Sequence, residues 1–398
     1  MTIAMMLIGL ALQLAVFANG GHIALSDLPR VFLHRGVGPG GLPYIDRVLE
    51  YPVGSGILLY LTASIAPSAL GVLVITAAGA TALSSTIAIV LARRYGARAW
   101  RWALATPLLL LAFQNWDMFA IAAMVGAVIA FERHRDRLSG ALLGVGAAVK
   151  LFPGAVVAPL AALRWAEGDH RGARRMIFGA VAAFAALNLP FMLMNTRGWF
   201  WPFAFQSKRQ ATWGSAWSYV YRLIGVPVHG ASGAQIANLV SFVALVGGIA
   251  WLCHRTMRRR LDPMAIAAAA TAIFLLSNKV YSPSYDNWPV LFFVVLPMSR
   301  RLWLSFCGVS LAVYASVYGY FHVGLPPAIV HAVLPVLVLA RTVILILVVA
   351  EATRRPTRPT EPGSNGHPAD ERTTVVHPPD HVIEDRVPAM VGSSERAA

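Results

Sequence analysis

Apolar stretches recur along the chain from Met1 to about Ala350, each broken by a short polar segment. A spanning helix needs roughly 20 mostly apolar residues, so this pattern predicts an all-α polytopic membrane protein; a β-barrel would lack such runs. The interruptions are of two kinds. Basic clusters lie at Arg93 to Arg101, Arg133 to Arg137, Arg164 to Arg175, Arg255 to Arg260, Arg300 and Arg301, and Arg354 to Arg358. The positive-inside rule places all six in the cytoplasm, so the chain crosses an even number of times between successive clusters, and one out-and-back pair fits each interval. The outward apices then fall at Gln114 to Asp117, Ala148 to Pro153, Asn195 to about Ser232, Asn278 to Asn287, and Phe321 to Pro327.

Near the N-terminus, Met1 to about Ala24 makes one span and Ser68 to Ala92 another, with an apolar stretch between them. A third full span would break the parity. Tyr51 to Ala66 is therefore expected to be an amphipathic or partly embedded helix on the outer face, inside a long first outer loop from Leu25 to Pro67. The first segment lacks a basic leader and a clear small-residue cleavage site before Gly20, which favours an uncleaved anchor. The total is about twelve spans. Several are short: Trp102 to Phe131 must supply two passes of about 15 residues, or 22 Å each, against a hydrocarbon thickness near 30 Å. Apices set below the surface are tolerated only when buried in protein or lining a wet cavity, so the outer half of the bundle is expected to hold a polar cavity. Residues 1–350 form the transmembrane domain, and 351–398, rich in Pro, Thr and charge, form a disordered cytoplasmic tail.

Composition agrees with this class. The 398 residues are 57% hydrophobic and only 13% charged, with mean hydropathy +0.61, which excludes a soluble multidomain enzyme. A net charge of +15 would suggest nucleic acid in a soluble chain, but here the basic residues sit between apolar segments and report topology, so no nucleic-acid partner is expected. Cys253 and Cys307 lie in or beside hydrophobic segments and support neither a disulfide framework nor a metal site. No phosphate-cradling P-loop, CxxC pair, HExxH or nucleophile elbow occurs.

The chemistry is confined to few outer groups. Of eighteen acidic residues only Asp27, Asp46, Glu50, Asp117 and Asp286 fall on the outer side. Asp27, just after the first span, either caps a helix starting at Leu28 or presents a carboxylate at the membrane surface. Asn115 and Asp117 flank Trp116 at the second apex, where they cap a helix or face a substrate. Lys150, beside Pro153, either snorkels to water or serves a site. The loop from Asn195 holds Trp199, Trp201, Trp213 and Trp217 near Lys208 and Arg209: an interfacial belt, or rings and cations suited to a sugar phosphate. Ser277 to Trp288 is the densest polar stretch between apolar spans, and Lys279 and Asp286 within it are substrate-facing candidates.

In order along the chain, Ser26-Asp27-Leu28-Pro29, Pro43-Tyr44, Glu50-Tyr51-Pro52, Asn115-Trp116-Asp117, Lys150-Leu151-Phe152-Pro153, and Asn278-Lys279 followed by Ser282-Pro283 make the chain resemble glycosyltransferase family 87. These are GT-C membrane enzymes that include actinobacterial polyprenyl-phosphomannose-dependent α-mannosyltransferases. The resemblance covers about Met1 to Ala350. It implies a GT-C-like bundle that moves a sugar, with mannose foremost, from a polyprenyl-phosphate donor to a hydroxyl of a glycolipid or glycan acceptor. Transfer would take place at the extracytoplasmic face of the cell membrane. Asp27 matches the catalytic carboxylate of the first outer loop and would be the base. Lys279, backed by Lys208, Arg209 and Lys150, would receive the departing phosphate. Tyr51, Asn115, Trp116, Asp117 and Asp286 would position sugar or acceptor. No cofactor and no obligatory metal are implied. The rival reading by hydropathy alone is a polytopic transporter or lipid flippase; polar apices gathered on one face argue against it.

Overall fold

The computed structural model describes residues 1–18, 26–226 and 230–354. Part of the first anchor and nearly all of the C-terminal tail therefore lie outside the described residues. The chain is helical almost throughout. Helices α1 (Thr2–Ala18), α2 (Asp27–Arg35) and α3 (Val53–Ile65) precede a long α4 (Ala69–Tyr95), which passes through a 3-10 turn into α5 (Trp100–Ala103). Four shorter helices follow: α6 (Thr106–Leu111), α7 (Asp117–Glu132), α8 (Asp136–Val149) and α9 (Gly154–Ala166). After α10 (His170–Met194) come α11 (Thr196–Lys208) and α12 (Ala216–Leu223), then α13 (Gly230–Arg259) and α14 (Pro263–Ser277). A broken segment, α15 (Asn287–Val290) and α16 (Phe292–Val295), leads to α17 (Arg300–Tyr318) and α18 (Pro327–Ala352).

Among the described residues five helical runs are long and apolar enough to cross a membrane: Ala69–Ala103, His170–Met194, Gly230–Arg259, Arg300–Phe321 and Pro327–Ala352. The expected total of about twelve exceeds these five. The remainder would have to come from shorter helices such as α7 and α8, whose 16 and 14 residues are short of a full crossing. Every apex read from the sequence contains a helix break, and five of the six basic clusters include the intervening breaks; Arg354 to Arg358 lies outside the described residues beyond Arg354. Short polar side chains start several helices there: Asp169 accepts from Gly172 N at 2.7 Å, Asp262 from Met264 N and Ala265 N at 3.0 Å, and Ser299 from Leu302 N at 3.1 Å.

The core sits around α14, where 13 of 15 residues are buried and an alanine run lets α7, α9, α13 and α18 approach. The outer faces are apolar instead: Leu239, Phe242, Val243 and Val246 of α13 are exposed. That inversion is what a lipid-facing bundle requires.

Two expectations change. First, α3 is not amphipathic in the usual sense. Its polar Ser55 and Thr62 face inward, with Ser55 Oγ donating to Val149 O at 2.8 Å, while Leu61 and Ile65 face outward. An apolar helix packed on α4 and α8 results, in which Ser55 bonds across to Val149 O and Thr62 to the carbonyls of Leu58 and Leu59 in its own helix. Second, Arg164 is not one of a solvated basic cluster. It is buried, with Nε 2.8 Å from Asp136 Oδ1, Nη1 2.8 Å from Glu167 Oε2, and Nη2 donating to Phe131 O. It ties the ends of α7, α8 and α9 together.

The loop between α2 and α3 is organised by Tyr44. Its backbone has φ 67°, and its hydroxyl lies 2.8 and 2.7 Å from the carbonyls of Tyr51 and Pro52. Two glycines make room for it: a Cβ on Gly56 would come 2.4 Å from the Tyr44 hydroxyl, and one on Gly198 would come 1.8 Å from the Tyr44 carbonyl oxygen. Loop, α3 and α11 are thereby locked in one arrangement that delivers Tyr51 to the interior.

Candidate active site

At the ends of the helices opposite the basic turns lies a cavity of about 870 Å³. This is within the range that holds a small-molecule ligand. Its walls come from the start of α2, the loop before α3, the breaks α6–α7 and α8–α9, the end of α11, the middle of α13 and the break after α14. A cavity is present at this end of the bundle, and residues of four of the predicted apices contribute to its lining.

Asp27 is the first residue of α2 and does not cap it. The cap is Ser26, whose Oγ accepts from Leu28 N at 3.2 Å and donates to Phe113 O at 2.7 Å. With the Asp27 amide donating to Gln114 O at 2.8 Å, the helix start is pinned to the α6–α7 break. The carboxylate is thus released from capping. Oδ2 accepts from the Tyr51 hydroxyl at 2.8 Å and Oδ1 from Arg30 Nη2 at 3.2 Å. Burial, and then the Asp27 charge, hold the Tyr51 phenol well above its ordinary 10, so it remains a donor. Tyr51 in turn packs edge-on against Trp116 at 5.2 Å.

Lys150 follows α8 directly and lines the cavity, yet it is 6% exposed and its Nζ lies 3.3 Å from Asp117 Oδ1. The ammonium also sits 5.0 Å from the Tyr51 ring centre and 5.7 Å from that of Tyr285. It does not snorkel. Asn115 lines the cavity, closes the turn by accepting from Asp117 N at 3.2 Å, and donates to Ser284 Oγ at 3.2 Å. Trp116 and Asp117 stand behind the wall, fully buried.

Elsewhere in the lining, Lys279 Nζ donates to Ser207 O at 3.4 Å and to Arg209 O. Burial, then the neighbouring Arg209 guanidinium, push this ammonium down to about 8 from 10.5. Both cations line the cavity, and among the described residues neither has a carboxylate within 4.0 Å. The other charges of the lining are matched internally: Glu50 pairs with Arg35 at 2.9 Å, Arg30 with Asp27, and Lys150 with Asp117. The cavity therefore holds two cations without a carboxylate partner together with the Asp27 carboxylate, which Tyr51 and Arg30 orient.

Other expected residues lie elsewhere. Lys208 ends α11 exposed, outside the lining. Asp286 is buried away from the cavity, with Tyr281 Oη donating to its Oδ1 at 2.8 Å and Arg341 Nη1 3.4 Å from both its oxygens. None of the four loop tryptophans lines the cavity; Trp199 donates to Asn188 Oδ1 at 3.0 Å and Trp217 to Leu276 O at 2.9 Å. The aromatic lining comes from Tyr51, Tyr285 and Trp288, the last two stacked at 4.4 Å, and from Phe203, Phe205, Phe242 and Phe274. Phe242 is 65% exposed while lining the cavity, so the wall between α11 and α13 is also an outer face. Sequence reasoning missed Gln114, Asn238 and Tyr318 as lining residues and Arg341 as Asp286's partner; a lone arginine inside the apolar run of α18 was the available signal for the last. Among the described residues no group of three or more His, Cys, Asp or Glu is placed to hold a metal ion.

No curated protein matches the chain. The model of glycosyltransferase family 87 matches residues 49–283, a stretch that holds Tyr51, Asn115, Lys150, Arg209 and Lys279 and leaves Asp27 and Arg341 outside it. The match covers more than half of the chain, and its class of reaction decides for glycosyl transfer over transport or lipid flipping. A helical bundle with several membrane-length helices around a cavity, matched over this extent, identifies the protein as a membrane glycosyltransferase: the chain belongs to glycosyltransferase family 87.

Proposed function

We propose that the protein transfers a sugar, mannose foremost, from a polyprenyl phosphate to a hydroxyl of a glycolipid or glycan on the extracytoplasmic face, within a bundle of about twelve crossings. The observation that carries this reading is the shared cavity, whose lining holds both the Asp27 carboxylate and the Lys279 and Arg209 cations, which have no carboxylate partner among the described residues. The acceptor oxygen attacks the anomeric carbon as the bond from that carbon to the phosphate oxygen breaks. The bonding electrons leave with the phosphate and the hydroxyl proton passes to Asp27. A positioned carboxylate base contributes about 10²- to 10⁴-fold. Lys279 and Arg209 neutralise the charge growing on the phosphate, an effect that is strongest where water is scarce.

A prenyl chain would leave the cavity between α11 and α13, past Phe203 and the exposed Phe242, which suits a lipid-linked donor better than a water-soluble nucleotide sugar. The aromatic wall suits the C–H faces of a pyranose. The extracytoplasmic placement follows from the basic turns at the opposite end of the bundle. Purified protein in liposomes, given a panel of polyprenyl-phosphate sugars and nucleotide sugars with a mannosylated glycolipid acceptor, tests this. Product from polyprenyl-phosphate mannose supports the reading. Product from nucleotide sugars alone overturns the donor assignment, and another polyprenyl sugar overturns mannose.

A further inference from the structure

α18 carries one charge deep in an apolar helix. Arg341 lies 14 residues from the helix start, roughly 21 Å along the axis at 1.5 Å per residue. It is 1% exposed and does not line the cavity. Charge at that depth is costly, and here three groups hold it. Nη1 is 3.4 Å from both oxygens of Asp286, Nη2 donates to Gly214 O, and the guanidinium carbon sits 3.7 Å over the Tyr281 ring.

These partners belong to two segments that run beside each other and carry Lys279 between them. Thr212 N donates to Lys279 O at 3.0 Å, Tyr281 N to Thr212 Oγ1 at 2.9 Å, and Ser215 Oγ to Asn278 O at 2.9 Å. Tyr281 Oη closes the set on Asp286 Oδ1. A planar fork bridges a carboxylate and a carbonyl in fixed geometry, which an ammonium does not. Neither segment is a helix across residues 209–215 or 278–282, so side chains supply the rigidity that backbone pairing lacks there.

We infer that Arg341 is a positioning residue: it clamps the 212–215 and 278–286 segments together from behind and so sets where the Lys279 ammonium stands in the cavity. The consequence for turnover rests on the phosphate role proposed for Lys279; the clamp itself does not.

The test has two arms. In a Cys253→Ala, Cys307→Ala background, Lys279→Cys is labelled with an ethylammonium methanethiosulfonate, with Ser64→Cys on the exposed face of α3 as control. Arg341→Lys is expected to change the labelling rate at position 279 several-fold and leave position 64 unchanged. The charge-free pair Asp286→Asn, Arg341→Met, which leaves no buried ion alone, is expected to do the same. Unchanged labelling at 279 in both overturns the clamp, whatever the donor proves to be. In the second arm, with polyprenyl-phosphate mannose and Lys279 intact, Arg341→Lys lowers kcat roughly 10- to 100-fold, the scale of an ångström-sized misplacement. It adds no loss in a Lys279→Ala background, whereas a merely structural residue adds its full loss there, which overturns the assignment. A wild-type protein inert with every polyprenyl sugar refutes the proposed donor and leaves the labelling arm standing.

Discussion

Tyr51 donates a 2.8 Å hydrogen bond to Oδ2 of Asp27 across 24 positions of sequence, with its ring edge against Trp116. The phenol fixes the carboxylate's direction while Arg30, half exposed, occupies the other oxygen. Replacing Asp27 by Asn keeps the side chain's shape and one accepting oxygen, puts an NH2 donor in place of the second, and removes the proton acceptor. Turnover is expected to fall about 10²- to 10⁴-fold with unchanged expression. Tyr51→Phe keeps the ring and removes one hydrogen bond to a charge, worth about 1.5–3 kcal/mol, so kcat is expected to drop by one to two orders of magnitude. Initial rates on reconstituted protein check both; wild-type turnover in Asp27→Asn removes it as base.

Lys279 is expected to give the reaction an alkaline limb. Its ammonium, pushed to about 8, is charged below that value and neutral above it, so kcat/KM for the donor is expected to decline as pH rises through about 8. The unfolded chain holds this proton up to the ordinary 10.5 and the folded one does not, so Lys279 makes folding more favourable between those two values as pH rises. The decline is then not unfolding. Lys279→Arg is expected to abolish the limb, since guanidinium stays charged; a limb that persists in that variant assigns it to another group.

Lys150 and Asp117 answer differently. Removing one member of a buried pair leaves the other uncompensated and costs about 3–5 kcal/mol. Lys150→Met is therefore expected to lower the unfolding temperature in detergent strongly, and Lys150→Met with Asp117→Asn to recover much of it. Equal destabilisation by the single and double variants would show that the pair is not coupled.

Gly198→Ala places a methyl where the Tyr44 carbonyl already stands. The expected outcome is separation of the first outer loop from α11, faster proteolysis near Tyr44 and a loss of activity exceeding the loss in stability, because Tyr51 is carried by that loop. Unaltered proteolysis and turnover would mean that α11 shifts to absorb the methyl.

Much of the architecture was legible in sequence because membrane topology is a one-dimensional problem. Apolar runs, basic clusters and the polar breaks between them locate the helix breaks, and the shortness of Trp102 to Phe131 points to a cavity at the predicted apices. Asp27, Asn115, Lys150, Arg209 and Lys279 stand out in the sequence as polar groups at the predicted apices and first loop, Tyr51 through the resemblance, and these six line the cavity, whereas Lys208, Trp116, Asp117 and Asp286 do not. Family membership was legible from motif order. What each charge does there was decided by tertiary contacts. Whether Asp27 caps a helix or stands free depended on Ser26 taking the cap; whether Lys150 reaches water depended on Asp117 meeting it from a neighbouring helix; whether Asp286 faces substrate depended on Arg341, 55 positions away. Hydropathy and spacing follow the chain, whereas the energy of a charge in a low-dielectric interior is set by the few groups within 4 Å of it, and those come from parts of the chain that only folding brings together.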